Sequence, residues 1–430
     1  MVKNVPNDKY QWFRLDNAAL IYPAISNAGK SCVYRIGVNL TKEVDPDCLQ
    51  QAVLDCKPRF PTFFVKLKKG LFWHYFESNP KDPIVKPESP YVNMAIDRKT
   101  NNDYLFTVFY YKNRISIEVF HSLGDGYGAY EFLKAVVYRY FQLLGYEQHS
   151  EGLVLTVDQA PNQAEIEDSF HKYYTRTPRG RYRVKKAYQV QGTQLTPSGD
   201  IGVIIGKLPA SQLLKLVKQN ETTLTQYLAA LFTYCMCQAD TSHQVSRPIN
   251  LSIPVNLRRF YQSRSLRNFS LFFYTSIACN KEKPSFEFIL EQIKEQFTLD
   301  LTKEKLQQYL NANVSAEKNV VFSVFPLFIK NIVLRFAGKY LGDKMTTTTI
   351  SNGGNMALPA TMKDLVQDFE CNMDVGNNES NRLCVITYND RMTISFSRAI
   401  VETEIERLFF TYLSERGIEI EIQSNLRENV

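Results

Sequence analysis

Apolar and polar positions along this chain switch repeatedly between a period of two and a period near 3.6, and the switches mark out its elements. SCVYRIGVNL (31–40) alternates and reads as a strand, and DPDCLQQAVLDCKPRF reads as a helix capped by Asp45 with Pro46 at its first position. TFFVKLKKGLFWHYFE and DYLFTVFYYKNRISIEVFHS read as hairpins that turn at Lys68 to Gly70 and at Lys112 to Arg114. In EFLKAVVYRYFQLLG, Phe132, Val136, Val137 and Tyr140 fall at helical spacing, and Gly145 ends the run. From about 146 to 200 the pattern weakens into Pro, Gly, Gln and basic residues, as in a connection between lobes. A second series follows: GVIIGKLP predicts a strand, SQLLKLVKQN and TLTQYLAALFTYCMCQA two helices, and RPINLSIPVNLRR and LFFYTSIACN two strands around a loop whose polarity suggests exposure. FEFILEQIKEQFTLDLTKEKLQQYLN predicts one long amphipathic helix. FPLFIKNIVLRFAGKYL, the Thr-rich strand MTTTTISNGG, a strand pair around Tyr388 to Ser397 and the closing helix ETEIERLFFTYLSERG complete the chain. Each half therefore predicts a mainly antiparallel mixed sheet with helices packed on it, an α/β architecture used twice.

The 430 residues exceed what one core usually serves, and 44% hydrophobic content with 13% aromatic residues supplies two. We divide the chain into an N-terminal lobe (1–170), a basic connection (171–199) and a C-terminal lobe (200–430). MVKNVPNDKYQWFRLDN holds no apolar run like that of a secretory leader, and nowhere do about eighteen uncharged apolar residues follow one another, so a cytoplasmic protein with no membrane span is expected. The cysteines at 32, 48, 56, 235, 237, 279, 371 and 384 show neither a disulfide framework nor zinc-site spacing, and reduced, mostly buried thiols are expected. The histidines at 74, 121, 149, 171 and 243 show no metal spacing. The net charge of +7 is local: the run from His171 to Thr193 holds Lys172, Arg176, Arg179, Arg181, Arg183, Lys185 and Lys186 and no acid. Without those seven, the 44 other basic residues equal the 44 acids. Charge confined to one segment without a recognition motif fits nucleic acid poorly. AISNAGKS ends like a phosphate-binding loop, but Ala24 replaces its first glycine and a strand follows instead of a helix. No G-x-S-x-G elbow is present.

The chemistry concentrates in ISIEVFHSLGDGYGAY (115–130). Alternation puts His121 on the face of Ile115, Ile117 and Val119, so its imidazole points inward at a strand end, and the glycines let Asp125 fold back beside that strand. Such a histidine is either a satisfied core residue or a general base at the mouth of a site. H-S-L-G-D-G resembles the HxxxDG motif of the CoA-dependent acyltransferase superfamily, which includes chloramphenicol acetyltransferase, the BAHD acyltransferases, the condensation domains of peptide synthetases and the alcohol acetyltransferases. The strand, loop and helix context and the place in the first third of the chain are similar too. GVIIGKLPASQLLKLVKQNETTLTQYLAALF resembles the opening of the second lobe in these families, and PVNLRR followed by RNFSLFF resembles their segment with an arginine after a strand. FPLFIKNIVLRFAG and TTTTISNGGNMALP look specifically like the alcohol acetyltransferase branch, so the likeness covers nearly all 430 residues. Phe120 departs from the condensation domains, which carry the first of two histidines there, and this favours acetyl transfer over peptide-bond formation.

The resemblance implies two chloramphenicol-acetyltransferase-like lobes with an active-site tunnel between them. It implies an alcohol acetyltransferase-like, CoA-dependent O-acyltransferase that moves an acyl group, taken as acetyl, from acyl-CoA to the hydroxyl of a small-molecule acceptor. His121 would act as general base on the acceptor directly, without an acyl-enzyme, and Asp125 and Gly126 complete the motif. The motif aspartate of the superfamily turns away from substrate and pairs with an arginine. Arg258 is the match, met through two parallel hydrogen bonds, and Arg259 is the fallback. Ser351 and Asn352 are candidate oxyanion donors, or a plain strand-end turn before Gly353 and Gly354. Arg179, Arg181, Arg183, Lys185 and Lys186 are candidates for the CoA phosphates, or a solvated connection. No cofactor is implied beyond acyl-CoA as co-substrate, and a monomer is expected. Two rival readings stay open: a condensation-type enzyme taking its acyl group from a carrier-protein thioester, and a catalytically silent binding or scaffold member of the fold. Intact His121 and Asp125 argue against the second.

Overall fold

A computed structural model describes residues 11–27, 29–176, 180, 185–195, 200–240, 247–279, 283–319, 324–376 and 379–426. Its first sheet has five strands in the order Val366–Met373, Val33–Leu40, Arg114–Phe120, Phe106–Tyr111 and Lys86–Pro87. Every pair is antiparallel except the last. Val33–Leu40 is buried along its whole length, so both faces of this sheet are covered. Helices Pro46–Asp55 and Gly126–Leu143 pack together over it. The Asp45 side chain caps the first by accepting from the backbone N–H groups of Asp47 and Cys48, and Pro46 opens it without wasting a donor. A small sheet of Trp12–Arg14, His74–Ser78 and Val65–Lys69 completes this part.

The second sheet has seven strands in the order Ser270–Ile277, Ile249–Asn256, Thr348–Met356, Asn381–Tyr388, Arg391–Arg398, Gly202–Pro209 and Glu421–Ser424. Thr348–Met356 runs parallel to both neighbours, and the other pairs are antiparallel. Helices Leu224–Ala239, Phe286–Asp300 and Glu404–Ser414 contribute to one apolar core against it. The predicted α/β class with two lobes of sheet and helices is the observed one.

Four features differ from the sequence expectation. Val366–Met373 was not anticipated as a strand, and it carries the second half of the chain back into the first sheet. Its Asp368, Glu370 and Asn372 look solvent-facing in sequence, yet all three are buried. Lys207 meets Asp368 at 2.9 Å and Arg114 meets Glu370 at 3.4 Å, so burial is compensated by partners distant in the chain. The long amphipathic helix is two helices, Phe286–Asp300 and Lys303–Glu317, because Thr302 caps the second by accepting from Lys305 N–H at 3.3 Å. Cys237 and Cys279 are joined by a disulfide with Cα atoms 6.1 Å apart, although 42 residues separate them in sequence. The other six cysteines are free thiols.

The fourth difference bears on function. The loop between Ile249–Asn256 and Ser270–Ile277 is not exposed through its second half: Ser265, Leu266, Arg267, Asn268 and Phe269 are buried. It lies against the start of helix Gly126–Leu143, where a Cβ on Gly128 would fall 1.9 Å from the Leu266 carbonyl oxygen and one on Gly124 2.9 Å from it. A Cβ on Gly126 meets only Tyr130 Cε2, at an ordinary 3.8 Å. Gly128→Ala is therefore expected to destabilise the protein by about 1 to 3 kcal/mol in urea melts, because backbone must move to admit it. Gly126→Ala, at an unstrained helical position, is expected to be neutral or slightly stabilising.

Candidate active site

The strand Arg114–Phe120 ends at His121, whose backbone N–H donates to the Cys32 carbonyl at 2.9 Å. Tyr22 stacks on the imidazole with centroids 4.5 Å apart and planes 17° apart, and Tyr34 meets it edge-on at 5.0 Å. Tyr34 is itself held by donating its hydroxyl to the Gly124 carbonyl at 2.9 Å. Burial lowers the His121 pKa below its ordinary 6.5, and the nearby Asp125 charge only partly opposes this. The ring is accordingly neutral at neutral pH.

Its tautomer follows from a residue that sequence reasoning missed. Asn268, from the buried loop, donates its amide to Asp16 Oδ2 at 3.2 Å and to the His121 carbonyl at 3.1 Å. Its amide oxygen then faces His121 Nδ1 at 3.2 Å and can only accept. The proton therefore sits on Nδ1, and the lone pair is on Nε2, which no protein group bonds among the described residues. Burial pushes the Asp16 carboxyl up to about 6 against the pull of Arg267, so at neutral pH it is ionised and accepts. The only sequence signal for Asn268 was its place in RNFSLFF, a segment noted for its arginine-bearing neighbourhood.

Asp125 caps helix Gly126–Leu143 through a 3.4 Å bond from Gly128 N–H. Its Oδ2 accepts from Arg258 Nη1 at 2.8 Å, Phe269 N–H at 2.8 Å and the Ser270 hydroxyl at 2.9 Å. Burial alone would raise this carboxyl, but the Arg258 guanidinium and the donated hydrogen bonds outweigh it and hold its pKa below the usual value. Arg258, not Arg259, is the partner, and it offers a single bond where two parallel ones were expected. It also donates to the carbonyls of Ser265 (2.9 Å) and Arg267 (2.6 Å) and to Asn256 Oδ1 (3.2 Å), and it lies over the Tyr127 ring at 4.5 Å. The guanidinium thus shapes the loop that carries Asn268 as well as meeting Asp125.

The other candidates are not joined to this cluster. Asn352 donates to Thr225 Oγ1 at 3.0 Å and accepts from Gly354 N–H at 2.8 Å, and Ser351, half-buried on the same strand, has no hydrogen bond to His121. Gly353 lies against helix Gly126–Leu143, where an added Cβ would come within 2.9 Å of the Tyr130 hydroxyl. Lys185 and Lys186 are exposed beside the Ile249–Asn256 strand, and the Lys185 carbonyl accepts from Asn250 at 2.8 Å. Arg179, Arg181 and Arg183 lie outside the described residues. Among the described residues no cluster of His, Cys, Asp and Glu could hold a metal ion, and no helix is long and apolar enough to cross a membrane.

No protein-family model and no curated protein matches the sequence. Solved structures do match in fold. A Fusarium graminearum TRI101 complexed with coenzyme A and T-2 mycotoxin is 10% identical with a TM-score of 0.63, over 97% of this chain and 100% of that one. The TRI3 trichothecene 15-O-acetyltransferase from Fusarium sporotrichioides is 12% identical with a TM-score of 0.59, over 96% of each chain. The starter condensation domain of rhizomide synthetase RzmA, in complex with C8-CoA and Leu-SNAC, is 13% identical with a TM-score of 0.56, over 94% of each chain. The likeness is one of whole-chain architecture, condensation-domain-like and shared with an acetyltransferase.

Two predictions follow from the geometry. In an NMR titration His121 should be an Nδ1–H tautomer with a pKa below 6.5, so proton uptake and loss of the basic form come only as the pH falls beneath that value. Asn268→Ala should mix the tautomers without removing the ring. Asp125→Ala and Arg258→Ala should each cost roughly 3 to 5 kcal/mol in denaturant melts, since each leaves a buried charge without its opposite charge. The double variant should cost far less than their sum, and strict additivity would contradict the pairing.

Proposed function

We propose that the protein is a CoA-dependent O-acyltransferase, with acetyl-CoA as first donor and a small-molecule alcohol as acceptor. The observation that carries this is the His121 imidazole held neutral between Tyr22 and Tyr34, with Asn268 occupying Nδ1 and the Nε2 lone pair left to take a proton. In this reading Nε2 removes the acceptor's hydroxyl proton as the oxygen attacks the thioester carbonyl. The tetrahedral intermediate collapses, expelling CoA thiolate, which recovers the proton from the imidazolium. General-base assistance of this kind contributes about 10²- to 10⁴-fold, and holding both substrates in one tunnel contributes more. Asp125 is kept from the reacting atoms by its four donors and acts as the fastening of the loop.

The His-x-x-x-Asp-Gly spacing at 121 to 126 and the whole-chain likeness to a trichothecene 15-O-acetyltransferase support the reading. Ser351 is the better of the two oxyanion candidates, because the amide of Asn352 already serves Thr225 and Gly354.

Thiol release from acetyl-CoA by the purified protein, screened over alcohols, sugars and amines, tests the proposal. His121→Ala is expected to lose at least about 10²-fold in kcat/KM, and an active His121→Ala variant refutes the base. Intact-mass measurement after mixing with acyl-CoA should show no covalent adduct, and a stoichiometric acyl adduct discharged by acceptor would replace direct transfer with a two-step route.

A further inference from the structure

Surface helices normally turn their apolar stripe inward. Helix Leu327–Ala337 does the reverse. Phe328, Ile332 and Phe336, spaced by four, are 66%, 51% and 60% exposed, and Tyr340 continues the exposed face beyond them. Lys330, on the opposite side, is fully buried: its Nζ donates to the Phe72 carbonyl at 3.0 Å and lies 3.6 Å from the Trp73 ring centroid. Beside the first turn of this helix sits the tip of the hairpin between Val65–Lys69 and His74–Ser78, tied by Leu327 N–H donating to the Leu71 carbonyl at 2.9 Å. Leu71 and Phe72 are exposed on that tip.

The charges around these side chains are mostly positive, although Glu77, just beyond the hairpin tip, lies 3.0 Å from Lys66 and 3.9 Å from Lys68. Lys68 and Lys69 flank the hairpin tip and Lys339 follows the helix, all exposed, and neither 64–76 nor 324–340 contains an acidic residue. We propose that this face docks on an anionic lipid surface, with Leu71, Phe72, Phe328, Ile332 and Phe336 entering the boundary between headgroups and acyl chains and the lysines meeting lipid phosphates and carboxylates. A second copy of the chain fits worse, because a two-fold contact would set the same lysines against each other. Protein partners receive such anchors in shaped pockets, whereas a bilayer accepts protruding tips of any outline.

The inner side of the helix faces the candidate site. Arg335 Nε donates to the Ala24 carbonyl at 2.8 Å, and a Cβ on Gly338 would lie 2.8 Å from Ile25 Cγ2. Both contacts fall on the short helix Tyr22–Ile25, whose Tyr22 stacks on His121. A docked lipid surface would therefore be separated from the imidazole by helix Leu327–Ala337 and the short helix Tyr22–Ile25.

Sedimentation of the purified full-length chain with vesicles tests the proposal and needs neither acyl donor nor acceptor, so it stands or falls apart from acyl transfer. Binding to phosphatidylcholine vesicles containing phosphatidylserine is expected, weakening with added salt and much poorer on phosphatidylcholine alone. Phe328→Ser with Phe336→Ser should lower binding at least about tenfold. Lys68→Gln and Lys69→Gln should each lower it roughly fivefold on the anionic vesicles only, with thermal melts of all variants unchanged. Equal binding by the wild type and the variants would overturn the proposal. So would a monomeric chain that ignores both vesicle types, leaving the face to an acidic protein, or a dimer that the phenylalanine changes abolish, giving it to a second copy.

Discussion

A buried carboxylate organises this molecule. Asp125 is almost completely withdrawn from water, and an unpaired charge there would not be tolerated. Its oxygens accept from a helix N-terminus, a guanidinium, a backbone amide and a hydroxyl. The first donor belongs to the helix after the His121 loop, and the other three come from residues more than 130 positions further on. Satisfying one charge therefore binds two distant stretches of chain. The approach it enforces is close enough that Gly124 and Gly128 cannot carry side chains against the Leu266 carbonyl. Asn268, two residues beyond Leu266, is set against the imidazole by the same approach. The tautomer of His121 is thus a consequence of how Asp125 is solvated by protein.

What the sequence disclosed and what it withheld divide along physical lines. Local chemistry was legible: Asp45 with Pro46 wrote a helix start, Lys112 and Asn113 a hairpin turn, and the alternation through Val119 placed His121 inward. Asp125 and its arginine were legible only through resemblance, and the single hydrogen bond between them was not, because carbonyls of Ser265 and Arg267 compete for the guanidinium. Asn268 was illegible for a different reason. A polar residue in a polar loop carries no pattern, and its role arises from Asp16, 252 residues earlier, meeting it in space. Val366–Met373 failed in the same manner, since alternating Asp368 and Glu370 imitate a wet face until Lys207 and Arg114 are seen across from them. Thr302 is the instructive intermediate case: a good N-cap residue was visible inside an apparently continuous helical period, and the cap overrode the period.

The helix Leu327–Ala337 inverts the rule that served elsewhere. Its periodicity is that of any amphipathic helix, and such a pattern does not say which stripe turns inward. The choice is settled by Lys330, whose long stem fills the interior while its ammonium reaches a carbonyl and the face of Trp73. With that anchor in place, the phenylalanines are left outside. Exposed aromatic side chains gathered on one face are uncommon on a surface that meets only water.

The Asp125 pairing also bears on the charge of His121. Two opposing effects act on the imidazole: burial among Tyr22 and Tyr34 disfavours its cation, and the carboxylate of Asp125 favours it. An isolated charge at Asp125 would pull on the ring more strongly. Arg258 supplies a compensating positive charge 2.8 Å from the carboxylate oxygen, so the pair presents a dipole whose field falls away faster with distance. Burial then prevails, and the ring keeps its lone pair at neutral pH. The arginine therefore serves the imidazole twice without touching it, by shaping the loop that carries Asn268 and by compensating a charge that favours its cation.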